Sequence, residues 1–162
     1  MAKDRPASRA TDHSEGFPQS ETVGTRVPAE QIKHSLAMAK AAVRAAAENR
    51  GQEILLLDIT GQTALFDFFL IVTGASRRQL GAISSEIDRV LRDEFGERRL
   101  SISGYEEARW IVLDYGTLVV HLFDEETRRF YDLESLWADA KPVDVAPIVA
   151  SASAQMARLR NQ

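Results

Sequence analysis

Histidines, carboxylates and glycine loops are the residues of this chain that could hold a metal, move a proton or cradle a phosphate. His13, His34 and His121 are scattered, and no pair has the short spacing by which two imidazoles reach one ion, so a zinc site is not expected. There is no cysteine, which removes disulfides, thiolate ligands and cysteine nucleophiles and fits a reducing compartment. Metal-assisted nucleotidyl transfer needs acids that converge on one point. Glu86 and Asp88 are two apart within a helical pattern and so diverge by about 200°. Asp58 and Asp114 each stand alone at a strand end. No Walker lysine, dinucleotide glycine fingerprint or serine elbow is present. Thr73-Gly74-Ala75-Ser76 does join a strand to a helix N-terminus, a place where anions bind, and Arg77 and Arg78 follow it. A single glycine serves plain strand-to-helix geometry equally well. The residues therefore predict no catalytic, cofactor or metal site.

Aromatic and acidic residues between Gly104 and Trp137 point to binding instead. Gly104-Tyr105-Glu106-Glu107 precedes a strand containing Trp110, and Asp114 and Tyr115 follow it closely. On an extended strand Trp110, Val112 and Asp114 share one face, and Arg109, Ile111 and Leu113 the other. An aromatic ring and a carboxylate on one face of an outer strand make a protein-binding hot spot. The pattern leaves a second place open for Trp110, the hydrophobic core, with Tyr115 merely supporting the turn. Trp137 is divided in the same way. His121 lies between Val119 and Phe123 on one strand face, where a satisfied, partly buried imidazole is expected.

The elements that must position these residues are legible from periodicity. Ile32, Leu36, Ala39, Val43 and Ala46 recur at helical spacing over Ala29 to Asn49, with Gly51 as a stop. Glu53 to Ile59 reads as a strand with a turn at Thr60-Gly61-Gln62, and Asp67 to Thr73 as a strand buried on both faces. Ser76 and Gln79 form a capping box ahead of a helix that carries Leu80, Ile83, Ile87, Val90 and Leu91 and ends near Phe95-Gly96. Three strands follow: Leu100 to Ser103, Arg109 to Leu113 and Leu118 to Phe123. The last two are joined by a tight turn at Asp114-Tyr115-Gly116-Thr117. Asp124 and Asp132 can each cap a short helix, the second carrying Leu133, Leu136 and Trp137. This order predicts an α/β fold with a mixed β-sheet packed by helices, because the crossover helix implies a parallel neighbour and the hairpin an antiparallel one.

A chain of 162 residues, 44% hydrophobic and 27% charged, fits one domain of ordinary globular composition. Residues 1–28, rich in Ser, Thr, Gly and Pro, read as a disordered arm without a signal-peptide core. Residues 29–141 form the domain. Residues 142–162 read as an Ala-rich C-terminal tail in which Ile148 to Arg160 could make a weak surface helix. Apolar runs such as Ile54 to Leu57 and Phe68 to Val72 are too short to span a membrane. The formal net charge of −4 disfavours a general grip on nucleic acid. Between Gly104 and Lys141 nine acidic residues face four basic ones, so this segment carries −5 and suits a basic partner.

The stretch Gly104-Tyr105-Glu106-Glu107-Ala108-Arg109-Trp110-Ile111-Val112-Leu113-Asp114-Tyr115-Gly116 closely resembles the ribosomal silencing factor (Iojap-like) family. Val119-Val120-His121-Leu122-Phe123, Phe130-Tyr131-Asp132-Leu133-Glu134-Ser135-Leu136-Trp137 and the earlier Asp67-Phe68-Phe69-Leu70-Ile71-Val72-Thr73-Gly74-Ala75-Ser76 resemble the same family in the same order. The resemblance runs from about Ile32 to Asp139. It implies a nucleotidyltransferase-like topology without the catalytic acids. It also implies a translational repressor that binds the large ribosomal subunit through ribosomal protein number fourteen and sterically blocks joining of the small subunit. It implies no enzyme activity, no cofactor, no sequence-specific nucleic-acid binding, a homodimer and a cytoplasmic location. Carried over position by position, it makes Trp110, Leu113, Asp114 and Tyr115 partner-binding residues, with Glu106 and Glu107 as supporting acids. Thr117 departs from the acidic or small polar residue that many relatives have after Asp-Tyr-Gly.

Two other classes of function make different demands on the sequence. A nucleotidyltransferase-type enzyme would use Mg²⁺, a nucleoside triphosphate, the Gly74 to Ser76 loop and an acid such as Asp114. An RNA-binding module would need a basic, aromatic platform that this composition does not offer.

Overall fold

The computed structural model describes residues 28–162. The arm expected over residues 1–28 lies, apart from Pro28, outside the described residues. Five helices and six strands follow in the order α1 (Ala29–Glu48), β1 (Gln52–Asp58), β2 (Phe68–Thr73), α2 (Arg77–Phe95), β3 (Ser101–Ser103), β4 (Trp110–Asp114), β5 (Leu118–Phe123), α3 (Glu125–Tyr131), α4 (Leu133–Leu136), β6 (Lys141–Val143) and α5 (Ala146–Arg160).

The strands form one mixed sheet in the order β3-β4-β5-β2-β1-β6. Only β2 and β5 run parallel, with Phe68 opposite Leu118 and Thr73 opposite Phe123; the other pairs are antiparallel. Every residue of β2 and β5 is buried, as the continuous apolar runs predict for strands covered on both faces. Asp67, just before β2, is a buried carboxylate that accepts a hydrogen bond from the Ser35 hydroxyl of α1 at 2.9 Å. That bond compensates a group which would otherwise be costly to desolvate.

Alternation divides the side chains of the sheet into two layers. One face presents Leu56, Leu70, Val72, Ile111, Leu113, Val120 and Leu122 to α1 and α2. The alanines of α1 (Ala39, Ala42, Ala45 and Ala46 are fully buried) let its backbone lie close to the neighbouring elements. In α2 the Ser76 hydroxyl accepts from the Gln79 N–H at 3.1 Å, and the Gln79 side chain accepts from the Ala75 N–H at 2.6 Å. Gly96 closes the helix in the left-handed conformation, φ +68°. The opposite face presents Leu57, Phe69, Ile71, Val119 and Phe123, with Trp110, Val112 and Trp137 partly buried beside them. The short helices α3 and α4 with the segment after them, and Ile59 and Phe66 of the β1–β2 connection, lie against it.

The boundary expected at residue 141 is not a structural one. Lys141 to Val143 pair with Leu56 to Asp58 as the edge strand β6, and the expected tail continues as α5 against α1. Ala152 is buried there, and Ile148 and Val149 pack on the main core. Alanine is small enough for a close helix-to-helix approach, so the segment that reads in sequence as a weak surface helix packs as part of the fold.

Candidate partner-binding site

Strand β4 carries the burial pattern that its alternation predicts: Trp110, Val112 and Asp114 are half-buried on one face, and Ile111 and Leu113 are fully buried on the other. Leu113 is 0% exposed and packs on the α1–α2 side. Its side chain cannot touch a partner in this conformation. Tyr115 is likewise buried, with its hydroxyl donating to Asp88 of α2, which also pairs with Arg99. Burial first, and the Asp88 carboxylate second, push the Tyr115 pKa well above the usual tyrosine range. Asp114 accepts from the Gly116 N–H at 2.8 Å and so braces the β4–β5 turn. Leu113, Asp114 and Tyr115 thus fix the frame of the hairpin at one end of the strand, and Trp110 stands at the other.

Around Trp110 the chain assembles an aromatic cleft. The ring is stacked on Phe123, its partner across the β4–β5 ladder, at a centroid distance of 4.8 Å. Tyr131 of α3 lies 4.8 Å from it on a tilted plane. The indole N–H donates to His121 Nδ1 at 3.2 Å. Trp110 therefore rests on the second core layer and keeps part of its surface in the cleft. Trp137 meets Phe69 edge-on at 5.0 Å and closes the same layer further along.

The cleft has a volume of about 440 Å³ and is lined by Gly104, Glu107, Arg109, Trp110 and, from α3, Glu126, Thr127, Phe130 and Tyr131. Gly104 adopts φ +75°, and a Cβ there would run into the Trp110 carbonyl oxygen, so only glycine lets the loop close over the strand at this point. On the far wall α3 is capped by Asp124, whose side chain accepts from the Thr127 N–H at 2.7 Å. Arg128 anchors this helix, bonding Glu134 at 2.6 Å, the Glu53 carbonyl at 2.7 Å and the Thr73 hydroxyl at 2.9 Å. With its backbone so held, α3 leaves Phe130 80% and Tyr131 52% exposed. Neither was singled out as a binding residue from sequence. The available signal was the adjacent aromatic pair at the end of a capped helix that has no buried residue of its own.

Glu106 and Glu107 are exposed on the β3–β4 connection. Glu107 also borders a second, shallower cleft of about 660 Å³ on the α2 side, together with Glu106, Asp88 and Arg99. Among the described residues, Glu106, Glu107 and Glu126 form no ion pair, whereas Glu125 and Glu134 are neutralised by Arg129 and Arg128. Two of these free carboxylates, Glu107 and Glu126, therefore line the Trp110 cleft beside Arg109.

His121 departs from the satisfied imidazole expected for it. It is 7% exposed; Nδ1 is engaged by Trp110, and Nε2 is buried with no partner among the described residues. Tryptophan is a donor only, so Nδ1 must offer its lone pair and the proton sits on Nε2. Burial lowers the His121 pKa to about 4, so the ring is neutral at physiological pH.

The combination of the Gly74 to Ser76 loop with Asp114 is not assembled. Gly74 bonds the Phe123 carbonyl at one end of β5, and Asp114 pairs with Val119 near the other. Four residues of strand separate them, about 13 Å. The Ala75 N–H that could hold a phosphate is already taken by Gln79. Among the described residues no group of three or more His, Asp or Glu side chains converges as a metal site, and no helix is long and apolar enough to cross a membrane.

The family model described as "Ribosomal silencing factor during starvation" matches residues 32–162. The ribosomal silencing factor of Bacillus subtilis is 41% identical over 106 residues, covering 65% of this chain and 89% of that protein. The ribosomal silencing factor of Halalkalibacterium halodurans is 36% identical over 109 residues, covering 67% and 92%. A crystal structure of a Chromobacterium violaceum protein superposes with a TM-score of 0.62 at 32% identity, covering 68% of this chain and 94% of that one.

Proposed function

This chain belongs to the ribosomal silencing factor family, and from that membership we propose that it represses translation by binding the large ribosomal subunit through ribosomal protein number fourteen and blocking the small subunit from joining. The mechanism is steric. A rigid domain occupies the surface that the small subunit would meet, without turnover or cofactor. The cytoplasm is its expected location, and a homodimer its expected state away from the ribosome.

The observation that carries the reading is the Trp110 cleft. A half-buried tryptophan, seated on Phe123 and flanked by Tyr131 and Phe130, offers the rigid aromatic anchor that dominates protein interfaces. The unpaired Glu107 and Glu126 on its rim favour a basic partner, raising the rate of encounter more than the final affinity. In this reading Trp110 makes the contact, and Glu106 and Glu107 steer. Leu113, Asp114 and Tyr115 act indirectly by holding the hairpin that presents the ring.

Co-sedimentation with separated ribosomal subunits tests it. The protein should pellet with large subunits and not with small ones, and small subunits added afterwards should form fewer joined ribosomes. Trp110→Ala should weaken large-subunit binding at least tenfold, about 1.4 kcal/mol or more, while the far-UV circular dichroism stays native. Wild-type protein that binds neither subunit, or a Trp110→Ala protein that binds as tightly as wild type, would overturn the proposal.

A further inference from the structure

We infer that His121 is the positioning residue of this binding site: its Nδ1 lone pair takes the Trp110 indole N–H and fixes the direction in which the ring presents itself to the cleft. The inference rests on the proposed role of Trp110 and adds a residue that does not itself reach the cleft surface.

Three observations lead to it. First, β4 is a short strand, next to the edge of the sheet, and its Trp110 ring is only half-buried. Stacking on Phe123 sets the plane of the ring, but stacking is tolerant of sliding and turning within that plane. A directional bond from the indole N–H removes that freedom, and His121 Nδ1 is the acceptor that supplies it, at 3.2 Å.

Second, His121 is a poor choice for filling space. Its β5 neighbours on the same face are Val119 and Phe123, and Phe69 packs edge-on against it at 5.2 Å. Burial in these surroundings leaves Nε2 without a partner among the described residues, a cost that an apolar side chain would avoid. The gain that offsets this cost is the bond from Trp110, which no aliphatic or phenyl side chain could accept.

Third, the tautomer suits the task. Trp110 can only donate, so His121 must carry its proton on Nε2 and leave Nδ1 free, and burial keeps the ring neutral at pH 7.

Two substitutions separate positioning from packing because they make opposite errors. His121→Asn places an amide oxygen near the Nδ1 position but loses ring volume. His121→Phe keeps the volume and loses the acceptor. In a Trp137→Phe background, Trp110 is the only tryptophan left. Its indole N–H can then be followed alone by ¹⁵N NMR and hydrogen exchange, while large-subunit binding is read by co-sedimentation. Positioning predicts that the Asn protein keeps a protected indole N–H and binds within about threefold of its parent. The Phe protein should lose that protection and bind at least tenfold more weakly, even with an unchanged or raised Tm. The reverse ranking, tight binding by Phe and weak binding by Asn, would overturn the inference in favour of packing.

A measurement on the unsubstituted chain covers the case in which a variant does not fold. Imidazole ¹⁵N shifts should show His121 as the Nε2–H tautomer at pH 7, and an Nδ1–H tautomer would refute the arrangement. If Trp110→Ala leaves subunit binding intact, the proposed function fails, while the indole exchange and the tautomer still decide the hydrogen bond.

Discussion

The two faces of the sheet are built from different materials. The face under α1 and α2 is aliphatic and alanine-rich, and its polar groups are few and matched, Ser35 with Asp67 and Tyr115 with Asp88. The face toward α3 and α4 is aromatic. Its cover is two short helices and a loop, one nitrogen of its histidine has no partner among the described residues, and large apolar rings reach solvent at Phe130 and Tyr131. A closed aliphatic layer supplies stability and no chemistry. An incompletely covered aromatic layer sacrifices some stability and gains rings with edges, planes and polar handles that another molecule can use. On the proposed function, the difference puts partner binding on one side of a single sheet, although both sides share the same strands.

That division can be broken from either side, most severely at the helical face. Leu80 of α2 is fully buried, and Leu80→Ala should cost about 3 to 5 kcal/mol, read as a lowered denaturation midpoint. The mutant fraction that remains folded should bind large subunits normally, because the cavity lies away from the cleft.

Acid should attack the other face. A base whose folded pKa lies below its unfolded value is neutral in both states at high pH and contributes no pH dependence there. Between the ordinary histidine value of 6.5 and the folded value of about 4, only the unfolded chain takes up the proton, so stability falls as pH falls through that window. The expected loss by pH 4 is about 3 kcal/mol. Urea denaturation at pH 7 and pH 4.5 should show a smaller pH dependence for His121→Phe than for wild type; equal dependence would mean that the imidazole is not buried in solution.

Smaller effects sharpen the contrast. Tyr115→Phe removes a hydroxyl bond within the closed face and should cost about 1 kcal/mol of stability, with a loss of subunit binding smaller than that of Phe130→Ser. Phe130→Ser on the open face should do the opposite. Its stability should stay within about 0.5 kcal/mol of wild type, while large-subunit binding weakens several-fold. If the two substitutions exchanged signatures, the assignment of function to the aromatic face would be wrong.

Sequence reasoning reached the sheet, the capping box and the face alternation of β4 because each is written in local periodicity. The same alternation already set Leu113 opposite Trp110, so only the family resemblance placed both in one contact surface. Tyr115 was ambiguous because a turn interrupts the strand period, and its destination depends on Asp88, 27 positions earlier in the chain. Ile148 to Arg160 reads only as a weak surface helix because an alanine-rich helix has little amphipathic signal, and strand β6 is not legible because a three-residue strand with a proline declares itself only beside its partner. The Trp110–His121 bond joins strands whose register had to be known before their side chains could be paired.

The ends of the sheet carry a consequence of their own. Among the described residues its two outer strands are β3 and β6, each three residues long, and Pro142 removes a backbone donor from the middle of β6. Short, interrupted borders are poor templates for strand addition, which guards a monomer against ladder-like aggregation during synthesis and storage. Any specific assembly of this protein is thereby directed away from continuous β-extension and toward side-chain recognition across a face.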